Sequence, residues 1–141
     1  MEREHKGFTI IELLVVVLII TMLVVFVAPR MFKGLSKTKI DIARSKMAIL
    51  ESALGNFYID CGRYPSDDEG LEALIEAPAE FEEQWNGPYL KYSHLEDPWK
   101  NPYVYEEEGT INVGSFDIVS YGADGEPGGE EGSENEDIFN E

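Results

Sequence analysis

The sequence predicts an α+β protein: one long N-terminal helix, membrane-spanning in its first half and amphipathic in its second, packed against a small antiparallel sheet. Three observations carry this expectation. An apolar run from Phe8 to Ala28 contains a single ionisable residue, Glu12. Beyond it, Ile40, Ala43, Met47, Leu50, Leu54 and Phe57 recur at alternating spacings of three and four, which is one face of a helix. Further on, Tyr103–Glu106 and Phe116–Tyr121 read as short strands, with Phe116 and Ile118 sharing a face as the two-residue period demands. A sheet laid on the helix stripe buries both apolar surfaces at once.

In chain order, residues 1–7 form a polar leader with two acids and two bases. Residues 8–28 are long enough to cross a bilayer, which takes about 20 apolar residues as a helix. A domain within 141 residues cannot wrap a helix that is greasy on every face, so the membrane reading outranks a buried core helix. No small-residue cleavage pattern follows Ala28, so the span is retained. Residues 29–61 continue the helix in amphipathic form, with Lys39, Asp41, Arg44, Lys46 and Glu51 on the outer face. Gly62 and Pro65 mark its end.

The head, 62–121, opens with the capping box Ser66-Asp-Asp-Glu69. Leu71, Leu74 and Ile75 then form the inner face of a short helix ending before Pro78. Proline-punctuated turns follow at Gly87-Pro88, Asp97-Pro98 and Asn101-Pro102, and Thr110–Val113 is a candidate third strand. Trp85, Trp99 and the tyrosines read as core filling and turn bracing. The tail, 122–141, is rich in Gly and acid.

Charge is lopsided. Up to Lys46, eight bases face four acids; from Met47 onward, three bases face 24 acids, or −21. Such a head repels phosphates, which argues against nucleic acid as a partner, and it attracts bridging cations. Counting bases alone would leave the head in the cytoplasm, because more of them follow the span than precede it. Cys61 is alone, so no internal disulfide forms; it reads as a small buried side chain ahead of a reactive thiol. His5 and His94 lack metal-spaced partners, and no phosphate loop or nucleophile with an obvious base is present. Nothing points to an enzyme.

The leader junction, Lys6-Gly7-Phe8-Thr9-Ile-Ile-Glu12, is the most informative stretch. Gly7 leaves the following peptide bond unshielded for a protease. Phe8 and Glu12 are four apart, one turn of a helix. A carboxylate at the start of a span either serves a function or sits solvated at the headgroups, and the residues alone leave both open. This junction, with Pro29, resembles the processing site of type IV pilin-like precursors. The resemblance implies cleavage after Gly7 by a prepilin peptidase on the cytoplasmic side, N-methylation of Phe8, and a head outside the membrane, against the charge count. It also implies that Glu12 neutralises the N-terminal amine of a neighbouring subunit.

The head narrows the family. Tyr58-Ile-Asp-Cys-Gly-Arg-Tyr-Pro65, Trp85-Asn-Gly-Pro-Tyr-Leu-Lys91, Asp97-Pro-Trp-Lys-Asn-Pro-Tyr-Val-Tyr105 and Phe116-Asp-Ile-Val-Ser-Tyr-Gly-Ala-Asp-Gly125 resemble, in order, the major pseudopilins of type II secretion. The resemblance implies a pilin-like fold and a structural subunit of a periplasmic filament that helps export folded proteins across the outer membrane. Subunits would wait in the inner membrane, single-pass. They would then assemble with copies of themselves, with minor pseudopilins, and with an inner-membrane platform and its ATPase. Cys61 replaces the Asn usual in the turn, the tail is longer, and the Trp-containing end common in the family is lacking.

Composition alone reads the tail as a solvated acidic segment. The resemblance instead implies Ca2+ there, with Asp124 as side-chain ligand, Tyr121 through its backbone carbonyl, and Glu131, Ser133 and Asp137 as further candidates. A major type IV pilin of an adhesive or motile fibre is the nearest alternative, but such pilins commonly close a loop with a disulfide. A membrane-tethered enzyme or binding domain is a second alternative, and it would need a pocket of convergent polar groups.

Overall fold

Helix α1 (Ile10–Cys61) is 52 residues long and runs past Pro29. The computed structural model describes residues 7–140, with the backbone alone for 28–33 and 35; leader residues 1–6 and Glu141 lie outside it. Two units make up the chain, Met1–Leu35 and Ser36–Glu141.

In the first unit Thr9 caps α1: its Oγ1 accepts the Glu12 N–H at 3.3 Å, and its carbonyl accepts from Leu13 at 3.2 Å. Thr9 thereby satisfies helix-end donors that would otherwise lack partners. Ile10–Val27 is long and apolar enough to cross a membrane, and none of it is buried.

In the second unit the amphipathic stripe becomes the core. Ile40, Ala43, Met47, Leu50, Leu54 and Phe57 are all at most 6% exposed and pack with Leu71, Leu74, Leu90, Tyr103, Phe116, Ile118 and Ile138. Fully burying each large side chain contributes roughly 1.5–3 kcal/mol, so this seam dominates the head's stability. α1 stops at Gly62, which sits at φ +81 and returns its N–H to Tyr58 O at 2.8 Å. A left-handed C′ residue of this kind is the usual helix terminator.

The Ser66–Glu69 box forms, with Ser66 N–H to Glu69 Oε2 at 2.8 Å and Glu69 N–H to Ser66 Oγ at 3.4 Å, but it closes a turn. The short helix after it is a single 3-10 turn, Leu71–Leu74; Leu71 and Leu74 are buried and Ile75 only partly so. Two more 3-10 turns follow, Ala79–Phe81 and Tyr92–His94.

The sheet has three antiparallel strands in order β1 (Val104–Glu106), β2 (Asp117–Ser120) and β3 (Ile138–Phe139), pairing Val104 with Val119 and Ser120 with Ile138. β2 is buried at every position, and its Ile118 joins the core cluster that α1 lines. Thr110–Val113 is not the third strand. Its backbone N–H groups go instead to the carboxylate of Asp117, itself 1% exposed. A local side-chain acceptor competes with the ladder and takes the segment out of the sheet. The third strand comes from 138–139, inside the stretch read as tail.

Four aromatic side chains reach hydrogen-bond partners with their polar tips, whereas the buried Trp99 Nε1 has none. Tyr103 OH donates to Ala43 O (3.1 Å), Tyr105 OH to Pro65 O (2.8 Å), Tyr89 OH to Asp60 (2.6 Å) and Trp85 Nε1 to Ala73 O (2.9 Å). Asp97, 1% exposed, organises the Asp97-Pro98 turn by accepting from the N–H of Trp99 and of Asn101, both at 2.9 Å. Its other oxygen takes Ser120 Oγ at 2.7 Å, fastening that turn to β2.

Candidate functional site

Two places carry the candidate residues. At the helix start, Gly7 and Phe8 are exposed and precede α1. Phe8, 81% exposed, precedes the first helical residue, Ile10, so the expectation that it shares a helical face with Glu12 is corrected: Thr9 caps the helix start. Glu12 is the third helical residue and the acid of the first turn, where the helix dipole favours a negative charge. Thr9 belongs to the junction motif, but its capping role was not read from the sequence. Its signal was present, since Thr9-x-x-Glu12 is a capping-box pattern.

The second place is the acidic loop between β2 and β3. Asp124 Oδ1 accepts the Glu126 N–H at 3.2 Å, Asp137 Oδ2 accepts Gly128 N–H at 2.8 Å, and Ser133 Oγ accepts Asn135 N–H at 3.2 Å. Ala123 N–H reaches Glu134 O at 2.7 Å, closing the loop on itself. The closure needs Gly129, at φ +101, where a Cβ would lie 1.9 Å from Asn135 O. Tyr121 is half-buried and Glu131 exposed.

The donor chemistry of this loop is oxygen throughout, the kind a hard cation takes. One carboxylate oxygen, Asp137 Oδ1, is buried with no hydrogen-bond partner. Burying a bare acceptor is costly, and a cation would relieve that cost. No group of three or more His, Cys, Asp or Glu side chains is gathered as a metal site among the described residues. A cation here would draw on one or two carboxylates together with backbone carbonyls.

Known proteins resemble the chain along nearly its whole length. Residues 30–141 match the family model described as type II secretion system (T2SS), protein G, and residues 3–28 match the prokaryotic N-terminal methylation motif. The chain belongs to the type II secretion system protein G family. It is 39% identical to the type II secretion system core protein G of Pseudomonas aeruginosa, over 90% of this chain and 89% of that one. It is 38% identical to the core protein G of Vibrio cholerae, over 91% and 87%. The fold is similar to the crystal structure of the major pseudopilin from the type 2 secretion system of enterohaemorrhagic Escherichia coli. That match has a TM-score of 0.60 and 31% identity, covering 76% of this chain and 90% of the other. A pilin-like α+β fold and a structural role in type II secretion follow from this membership. Nothing found favours a fibre-forming type IV pilin.

Within this protein G fold the head's main ion pair braces the first loop. Arg63 forks onto both Glu69 oxygens at 2.7 and 2.8 Å and onto Glu80 at 3.2 Å. The Arg63 bonds hold the Glu69 carboxyl down to about 2; partial burial opposes this and the Ser66 N–H assists. Cys61 is half-buried against the core. Burial first, and Asp60 next, push its thiol up, while Arg63 pulls the other way. The net direction suits a packed neutral thiol better than a nucleophile.

Proposed function

We propose that the chain is a pseudopilus subunit cleaved between Gly7 and Phe8. It would then be held in the inner membrane by α1 with its head in the periplasm, and polymerised with copies of itself. One observation carries the reading: Ile10–Val27 is exposed on every face, and its one carboxylate, Glu12, stands in the first turn. That surface needs lipid before assembly and other helices after it. Hydrolysis at Gly7 leaves a free amine on Phe8, which becomes the natural counter-charge for Glu12 of a neighbouring subunit. In a dry bundle an unpaired Glu12 is strongly disfavoured, so only the pairing register is stable. Prepilin peptidase, minor pseudopilins, and the assembly platform with its ATPase are the partners this route requires.

Calcium belongs to the same proposal. Asp137 and Asp124, with the Tyr121 carbonyl, would hold it, and Glu131 and Ser133 lie in the same loop. When bound, Ca2+ would supply positive charge that neutralises the carboxylates holding it and ties the loop together. The support is the orphaned Asp137 oxygen and the loop's oxygen donors.

Mass spectrometry of the native N-terminus tests the processing step. A polypeptide starting at methylated Phe8 is expected; one that retains residues 1–7 sinks the proposal. Glu12→Ala should be processed yet fail to enter filaments, and normal filaments from it would remove the registry role.

A further inference from the structure

Most of the head's cations are committed within the subunit. Lys39 lies 4.0 Å from Glu134 and over the Trp99 ring at 5.6 Å. Lys46 Nζ donates to Glu96 O at 2.6 Å, Arg63 forks onto Glu69, and Lys100 reaches Glu96 at 3.4 Å. Arg44 is different. It has no ion pair or hydrogen bond of its side chain among the described residues, in a head dominated by carboxylates. Lys37 and Lys91 share that state, but Arg44 borders a depression of about 190 Å³. Met47, Ala48 and Glu51 of α1 form one side of it, and Phe139 and Asn140 the other. Phe139 remains 37% exposed there.

The same head carries an unmatched knob. The loop between β1 and β2 holds Val113 at 87% exposure and Ile111 at 53%. It is not a loose loop. The Asp117 carboxylate fixes the N–H groups of Thr110, Ile111 and Asn112 at 2.7–2.9 Å, and Asn112 Nδ2 reaches Asn140 Oδ1 at 3.2 Å. A segment already ordered loses little entropy on docking. At the knob's base stand Glu106, Glu107 and Glu108, of which 106 and 108 are exposed.

We propose that the depression between α1 and β3 of one copy receives the Ile111–Val113 loop of a second copy, with Glu108 of the loop paired to Arg44. This rests on the filament reading above and adds which head surfaces meet. Charge complementarity selects the occupant: an unpaired arginine beside a hollow that is apolar at Met47, Ala48 and Phe139 and polar at Glu51 and Asn140 fits an apolar tip with acids at its base. In a filament the contact is heterologous, the loop of each copy entering the depression of the next. Such contacts propagate as open helical assemblies when the rotation does not close, as a filament requires.

The test uses the full chain, expressed with its secretion apparatus, in a Cys61→Ser background. Ala48→Cys and Val113→Cys are made singly and together, then oxidised in place. The double variant should give a ladder of cross-linked species, and each single variant should stay monomeric. Filaments visible by electron microscopy without a ladder would overturn the docking, as would dimers from Val113→Cys alone, which signal a symmetric contact. In the double-cysteine chain, Arg44→Glu should lower the ladder about tenfold and Glu108→Arg should restore it. An unchanged ladder overturns the Arg44–Glu108 pairing. If neither filaments nor cleavage at Phe8 occur, the filament reading itself fails and the docking falls with it.

Discussion

Asp117 is the buried carboxylate on which the β1–β2 loop depends, and Asp117→Asn isolates its contribution at nearly constant volume. Five donors converge on it. Thr110 N–H (2.7 Å), Ile111 N–H (2.8 Å) and Thr110 Oγ1 (3.3 Å) reach Oδ2; Asn112 N–H (2.9 Å) and Nδ2 (3.0 Å) reach Oδ1. An amide offers one oxygen. Whichever way it turns, at least two donors face an NH2 group instead of an acceptor. Each donor left unsatisfied costs about 1–3 kcal/mol, and partial exposure of the loop favours the lower end. The expected loss is about 2–4 kcal/mol, a large share of a stability of roughly 5–15 kcal/mol. In a head of this size that lowers Tm by roughly 10–25 °C. Thermal unfolding of the detergent-solubilised chain, followed by tryptophan fluorescence, reads it directly. Acidification supplies an independent check of sign. Burial is the largest single influence and pushes the Asp117 carboxyl up, but the Ile111, Asn112 and Thr110 N–H bonds together outweigh it and the net shift is down. A folded pKa below the unfolded value of about 3.9 means the contribution is whole above that pH and fades as pH falls through the folded value. The gap between wild type and Asp117→Asn should therefore shrink in acid and persist at alkaline pH. A loss below about 0.5 kcal/mol, typical of an ordinary surface change, would refute the reasoning.

Three further outcomes are expected. Glu69→Gln should cost about 1 kcal/mol at pH 7, a modest figure because Arg63 and Glu69 are partly exposed. Since Glu69 is held down to about 2, that cost should disappear in urea titrations as pH approaches 2. Phe57→Ala removes a fully buried ring that meets Phe81 and Tyr89 edge-on, each at 6.2 Å, and should cost about 3–5 kcal/mol by denaturant unfolding. Chelation by EGTA should lower the melting temperature of wild type and leave Asp137→Ala unmoved. An equal shift in both would take Asp137 out of the calcium proposal.

The helix stripe was legible because periodicity records burial: the six residues picked out at spacings of three and four are the ones that line the core. The two principal strands were placed to within a residue at each end, although their alternation does not track burial, since β2 is buried at every position. Thr110–Val113 misled because alternation of Ile111 and Val113 looks like a strand, whereas the deciding partner, Asp117, lies several residues on and is itself inside a strand. Ile138–Phe139 was passed over as a strand because two apolar residues in an acidic, Gly-rich stretch carry no period. Their pairing with β2 is set by tertiary contact, including Asn140 Oδ1 accepting the Ile118 N–H at 2.7 Å. At the helix start, local pattern placed Glu12 but overextended the helix to Phe8, since a capping threonine outweighs apolar continuity.

The acidity of the head bears on how such a subunit can polymerise at all. A surface carrying −21 from Met47 onward repels its own copies, and at physiological salt the screening length is about 8 Å, longer than the gap between touching surfaces. Contact is therefore opposed unless positive charge sits in the interface itself. Lys39, Lys46 and Arg63 cannot supply it without giving up bonds that hold their own head together. Arg44 can, because forming a new pair breaks none, and a divalent ion on the acidic loop would remove further repulsion. The two effects respond oppositely to monovalent salt: screening relieves head–head repulsion but weakens an Arg44–Glu108 pair. Assembly limited by repulsion should improve steadily with salt, whereas assembly registered by that pair should pass through a maximum and then decline.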